Sequence, residues 1–203
     1  VFIPVAETSG RIVALGERLF AKVCQFISSG ELNHLGLHYI EVNLSVLQCE
    51  QKNLSNRLKT IMDQYKVSPN ALNLEITETA TLNAKMNLLS NMGSLIDFGC
   101  SFSLDDFGKG ESNLMYIVEM PVSIVKMDID LTKAFFAIEK AQAVVRSVVQ
   151  MAHEMGLRVV SEGIESQEEF EALQNIGVDY IQGYYFSRAL PMDEFVEFVK
   201  KYN

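Results

Sequence analysis

Six times along its 203 residues the chain passes from a short β-prone run into a helix-like segment. That alternation constrains the fold more than any other feature. Strands joined through helices lie parallel in one sheet with right-handed crossovers, so the repeat predicts an α/β protein. The predicted strands are Tyr39 to Leu44, Ala71 to Thr77, Cys100 to Leu104, Val122 to Asp128, Leu157 to Ser161 and Tyr180 to Phe186. Helices are expected over about 54–65, 82–98, 113–120 and 167–176, in a long region ending at Gly156, and from Asp193 to the C-terminus. Before the first strand, Thr8 or Ser9 would cap a helix whose apolar positions Ile12, Leu15, Leu19, Val23 and Phe26 fall three or four apart. No low-complexity linker interrupts the series, which predicts one domain over 1–203.

Parallel α/β chains close into a barrel or stay open as a doubly wound sheet, and in both the working face is the carboxyl end of the strands. Asn43 ends the first predicted strand, and Glu75 and Glu78 end the second. Asp105 and Asp106 end the third, Lys126 and Asp128 the fourth, Glu162 and Glu165 the fifth, and Gln182 lies within the sixth. A doubly wound sheet would gather such residues at one switch point, whereas here every strand contributes one. The distribution favours a ring, hence a barrel.

The sharpest of these ends is Ser103-Leu104-Asp105-Asp106-Phe107-Gly108-Lys109-Gly110. Side chains alternate along a strand, so adjacent aspartates reach one point only where strand gives way to loop. Two aspartates beside a glycine could also be an ordinary turn. The other strand-end carboxylates shift that balance, because converging acids repel unless they are spread apart or divalent cations neutralise them. An oxygen set of Asn, Glu and Asp, with no His or Cys at a strand end, suits Mg²⁺ or Mn²⁺ better than zinc. Two such ions bridged by a carboxylate are a common device for attack of water on a phosphodiester. Lys126 could stabilise phosphate charge or orient the water, and Glu162 could ligate a metal or take a proton. Lys126 alone could also serve as a Schiff-base lysine, chemistry that would not require the ring of carboxylates.

Composition narrows the partners. A net charge of −9 and a pI near 4.9 argue against a nucleic-acid polymer or an anionic membrane surface. Cys24, Cys49 and Cys100 are odd in number and set in apolar surroundings, as expected of buried thiols in a reducing compartment. The sequence shows neither a membrane-span pattern nor a signal peptide, so a cytoplasmic protein is expected. His34, His38 and His153 lie away from the strand ends and read as surface or packing residues. Met86 and Met92 read as core fillers, and the acidic run at Glu165, Glu168, Glu169 and Glu171 as a solvated helix start.

At these residues the chain resembles the EAL-domain phosphodiesterases, which hydrolyse cyclic di-GMP to linear pGpG. The resemblance rests on an ordered set: Phe2-Ile3-Pro4-Val5-Ala6-Glu7, Asn43-Leu44-Ser45, Glu75-Ile76-Thr77-Glu78, Asp105-Asp106-Phe107-Gly108, Lys126-Met127-Asp128, Glu162-Gly163-Ile164-Glu165 and Gln182-Gly183-Tyr184. It implies a modified TIM-type (β/α)8 barrel with two Mg²⁺ or Mn²⁺ ions. By matching motifs, Asn43, Glu75 and Asp105 would hold one ion, and Asp105 with Asp106 the second. Glu162 and Lys126 would position and activate water, Gln182 would line the substrate or water site, and Glu78 would steady the aspartate loop. Members often dimerise and carry upstream sensory or diguanylate cyclase (GGDEF) domains, which makes these the implied partners.

Two departures qualify the resemblance. The Glu-Ala-Leu motif belongs before Phe2, and such a barrel typically needs about 250 residues, so an N-terminal truncation with little hydrolysis of its own is expected. The loop reads Lys109, Glu111 and Asn113 where hydrolysing members usually read Thr or Ala, an aromatic residue, and Ser. A non-hydrolysing cyclic di-GMP receptor and a protein-interaction module therefore stand as alternatives to the enzyme.

Overall fold

A computed structural model describes residues 2–77, 85–109 and 115–202, apart from the side chains of Lys85 and Tyr116. The chain divides into two compact units, Val1–Phe102 with Phe195–Asn203, and Ser103–Glu194.

In the first unit, helices α1 (Phe2–Thr8), α2 (Ile12–Ser28) and α3 (Glu31–His34) precede strand β1 (Ile40–Leu44). Helices α4 (Val46–Cys49) and α5 (Leu54–Tyr65) lead to β2 (Leu72–Thr77), and α6 (Lys85–Phe98) follows. The period-three-to-four stripe of α2 buries Ile12, Phe20 and Cys24, and α5 packs against α2 with Leu58 and Met62 fully buried. Strand β1 pairs parallel with β2, in the register Val42 to Leu74 and Asn43 to Glu75. Strand β2 is buried on both faces, as parallel strands usually are. Its polar residues are therefore enclosed, and Asn73 is satisfied by donating to Ser101 Oγ at 3.0 Å.

The second unit carries most of β3 (Ser101–Phe107), then α7 (Met115–Glu119), β4 (Ile124–Met127), α8 (Ile129–Ala137) and α9 (Glu139–Glu154). Next come β5 (Arg158–Glu162), α10 (Gln167–Asn175), β6 (Tyr180–Gln182) and the start of α11 (Met192–Tyr202). Strands β3, β4, β5 and β6 pair in chain order, all parallel. Val145, Val149 and Ala152 of α9 and Leu173 of α10 pack with Met127 and Val159 in a common core.

Several boundaries differ from the sequence reading for identifiable reasons. Thr8 and Ser9 do not cap α2: Thr8 Oγ1 donates to the Pro4 carbonyl (2.8 Å) and Ser9 Oγ to the Ala6 carbonyl (3.3 Å), closing α1 instead. The long helical region breaks at Ile138, whose extended backbone separates α8 from α9. Strand β4 stops at Met127 because Asp128 caps α8, accepting from Asp130 N–H at 2.8 Å. Strand β6 is shorter than expected and ends at Gln182. Beyond it, Tyr185 N–H donates to the Ile164 carbonyl and Phe186 N–H to that of Gly183, which turns the chain away. Met92 fills the core as expected, but Met86 is 87% exposed.

Candidate metal centre and catalytic site

The aspartate pair sits on a bulge. Ser103 and Leu104 pair with Ile124 and Val125, but Phe107 pairs with Met127, so Asp105 and Asp106 stand opposite Lys126 alone. An extra residue of this kind breaks strand alternation and re-aims a side chain. Asp106 has φ +58°, in the left-handed region that Asp tolerates better than most residues. The bulge explains how neighbouring aspartates can serve one locus, and it carries β3 past the predicted end at Leu104.

Lys126 is the centre of charge. It is 3% exposed, and its ammonium donates to Glu162 Oε1 at 2.9 Å and lies 3.8 Å from Asp105 Oδ1. Both acids come from strands that flank β4, so parallel pairing brings the three groups together. Among the described residues, Asp105 Oδ1 is buried without a hydrogen-bond partner. Burial pushes the Glu162 carboxyl above its ordinary value, more than the Lys126 hydrogen bond pulls it down, and Asp105 and Asp106 add to the rise. A buried carboxylate oxygen that lacks a hydrogen-bond partner, with further carboxylate oxygens beside it, is an environment that fits a hard divalent cation.

Further along the loop, Lys109 donates to Asp106 Oδ1 at 2.9 Å and lies 3.7 Å from Asp128 Oδ2. The hydrogen bond and charge of Asp106 hold the Lys109 ammonium above the ordinary lysine value. Asp128 is buried and serves the structure as the α8 cap, with its backbone N–H donating to the Phe107 carbonyl at 3.0 Å.

A cavity of about 730 Å³ opens beside Glu162, lined by Glu165, Gln182, Tyr184, Arg188 and Ile129 among others. Gln182 pairs in register with Glu162, which puts it at the cavity. Two glycines allow the walls to meet. Gly163 turns at φ +80° directly after Glu162, and a Cβ on Gly183 would stand 2.0 Å from the Ile164 carbonyl oxygen. Glu165 is exposed, and its N–H donates to Glu169 Oε2 at 2.8 Å beside the Ser166 cap of α10, so part of its environment is the solvated helix start expected of that run.

In the first unit, Asn43 and Glu75 are brought side by side by the β1–β2 register, with Glu75 4% exposed. Glu78, Glu111 and Asn113 lie outside the described residues. The histidines behave as read: His34 and His38 are exposed, and His153 pairs with Asp179 at 2.8 Å. The three cysteines are free and buried, and burial pushes the Cys49 thiol up to about 12. Sequence reading missed Arg188, whose guanidinium carbon lies 4.3 Å from the Tyr184 ring centre. A lone arginine after a strand has no periodic signal; the tyrosine beside it was the available cue. Among the described residues, no helix is long and apolar enough to cross a membrane.

Fold and site together define an α/β domain of parallel strands that gathers acids around a buried lysine at the strands' carboxyl ends. The chain belongs to the EAL domain family, whose model matches residues 1–189. It is 32% identical over 193 residues to the oxygen sensor protein DosP of Escherichia coli, covering 95% of this chain and 24% of DosP. It is 30% identical over 198 residues to the cyclic di-GMP phosphodiesterase RocR of Pseudomonas aeruginosa, covering 97% of this chain and 50% of RocR. Among solved structures, the EAL enzyme Bd1971 in a cAMP- and cyclic-di-GMP-bound form matches with a TM-score of 0.91 and 26% identity, over 98% of this chain and 55% of that one. The family resemblance and the TIM-type α/β fold class read from the sequence are thereby borne out, and the chain spans about a quarter to a half of these curated relatives.

Proposed function

We propose that this chain is the catalytic domain of a cyclic di-GMP phosphodiesterase that hydrolyses its substrate to linear pGpG, and that residues 1–203 act as one EAL-type domain. The observation that carries the reading is Asp105 Oδ1, buried beside the Lys126–Glu162 pair and, among the described residues, without a hydrogen-bond partner. Such an oxygen is costly to bury unless something binds it. The EAL family membership and the name of RocR supply the substrate class.

In this reading Asn43, Glu75 and Asp105 would hold one Mg²⁺ or Mn²⁺ ion, and Asp105 and Asp106 the second; such ions, when bound, would neutralise phosphodiester charge and lower the pKa of water. The chain's own residues do the rest. Glu162, with its raised pKa, accepts a proton from water as the oxygen adds to phosphorus. Lys126 holds Glu162 in place and faces the developing negative charge. The bond from phosphorus to the 3′-oxygen breaks, that oxygen takes up a proton, and the ring opens to a linear dinucleotide with a 5′-phosphate. Gln182 orients water or substrate, Glu78 steadies the aspartate loop, and Tyr184 and Arg188 offer an aromatic face and a cation to the nucleotide. Glu165 has a subsidiary place at the cavity. The reading puts the domain in the cytoplasm, as a homodimer under an upstream sensory or GGDEF domain.

The test is product analysis with Mn²⁺ in the native protein that contains this chain. pGpG should form, and Asp105→Ala should abolish it while binding of the dinucleotide can persist. Absence of both turnover and binding in the unmodified protein would defeat the reading. One observation favours a second reading, a receptor that binds without hydrolysis. Lys109 already pairs with Asp106, and tight calorimetric binding with no pGpG would select it.

A further inference from the structure

The aspartate loop contains its own cation. Lys109 Nζ donates to Asp106 Oδ1 at 2.9 Å, and the Lys109 backbone N–H donates to the Asp106 carbonyl at 3.1 Å. The turn is thus closed twice on Asp106, the residue held at φ +58°. A second carboxylate stands near: Asp128 Oδ2 is 3.7 Å from the same ammonium. Asp128 is buried and fixed, because its Oδ1 is spent on capping α8 through Asp130 N–H. The ammonium therefore has one strong partner and one reserve partner that cannot move away.

This arrangement bears on cation binding, and the step rests on the two-ion reading given above. A divalent ion coordinated by Asp106 would meet a positive charge already hydrogen-bonded to the same carboxylate. Like charges at such a separation oppose one another, so ion and ammonium exclude each other from Oδ1. Leaving Asp106 does not strand the ammonium in an apolar place, since its side chain is 57% exposed and Asp128 remains beside it. We propose that Lys109 is a tethered competitor for the second divalent ion, resting on Asp106 when that position is empty and withdrawing towards Asp128 when it fills. Lys109 is a positioning residue in this scheme and touches no reacting atom. The two ion sites then fill in order: the one that does not depend on Asp106 takes its ion first, and the other pays the cost of displacing Lys109. Occupancy of the second site would track the concentration of free divalent metal.

The size of the effect follows from exposure. Ion pairs this open to solvent are worth about 0.2–1 kcal/mol, equivalent to roughly a 1.5- to fivefold change in binding. Mn²⁺ titration of the unmodified chain, followed by the loss of the free-ion paramagnetic resonance signal, reads both sites without substrate. Two classes of site are expected. Lys109→Ala should tighten the weaker one about 1.5- to fivefold and leave the tighter one unchanged. Lys109→Arg, which keeps a cation in the loop, should retain the weak site. Lys140→Ala, with the same change in net charge at the exposed start of α9, should move neither. Equal tightening of both sites in Lys109→Ala would mean a general field effect and would overturn the proposal. Two sites with unchanged affinities would overturn it as well, while leaving the two-ion reading intact. A chain that takes up fewer than two ions in every variant would defeat the two-ion reading and the proposal with it.

Discussion

Replacing Lys126 by Met tests whether a single buried ammonium is what allows the acids to coexist. Met keeps the length of the stem and removes the charge. At an effective dielectric constant near 20, attraction at 2.9 Å to Glu162 is about 6 kcal/mol and at 3.8 Å to Asp105 about 4 kcal/mol. Burying each ion costs several kcal/mol, so most of that attraction is offset in the intact protein. The variant keeps the cost for the carboxylates and loses the compensation, a situation that typically destabilises by about 3–5 kcal/mol. The loss must also depend on pH. Glu162 already has a raised pKa, and Lys126 is the main influence holding it down, so in the variant it rises further. A carboxyl with a folded pKa above its unfolded value binds more protons in the folded state, so stability falls as pH rises, by up to about 1.4 kcal/mol per pH unit. Denaturant unfolding without divalent metal should therefore show a large deficit for Lys126→Met at pH 8 and a much smaller one at pH 5. Mn²⁺ should recover part of the pH 8 deficit. Equal losses at the two pH values, or a deficit below about 1 kcal/mol at pH 8, would refute the account of Lys126 as the compensating charge.

Two further outcomes follow from the same geometry. If Glu162 is the base, activity should rise with pH through its folded pKa, giving an acid limb in kcat/KM, and Glu162→Gln should remove that limb while slowing turnover by about 10²–10⁴; an unchanged limb in the variant would assign it to another group. Gly183→Ala places a Cβ 2.0 Å from a backbone oxygen, which no rotamer change can relieve, so the melting temperature should fall by several degrees and Gln182 should lose its register with Glu162; a variant as stable as the parent would show that the Ile164 and Gly183 backbones are not locked together.

The order of strands and helices was legible because each element carries its own local signal. Leu72, Leu74 and Ile76 mark β2, and Gly99 and Gly156 close helices with positive φ. The carboxyl-end rule then selected Asp105, Lys126 and Glu162 as neighbours, and the distances agree. What the sequence could not show is set by tertiary contact. The bulge at Asp105–Asp106 depends on where β4 pairs, and the early end of β6 depends on the Ile164 backbone meeting Gly183. Both are contacts between segments apart in the chain, for which a window along the sequence has no reading; the Asp128 cap, by contrast, is local, and an Asp two residues before Asp130 was a signal the sequence did carry.

The two lysines of the second unit show how position changes the meaning of one residue type. Lys126 is enclosed among acids that flank it on neighbouring strands, so its charge is a structural requirement and cannot be withdrawn without exposing them to mutual repulsion. Lys109 lies on an open loop with two acceptors at 2.9 and 3.7 Å, so its charge can be transferred between partners at small cost. In a chain of net charge −9, the first cation compensates the acidic centre, and the second, on the proposal above, would compete with a metal for it. Under the proposed two-ion reading, hydrolysis against binding alone would turn on the balance at Asp106 Oδ1, which Lys109 already occupies at 2.9 Å. In that reading the aspartate pair would set where the chemistry occurs, and Lys109 would set how readily the second cation arrives.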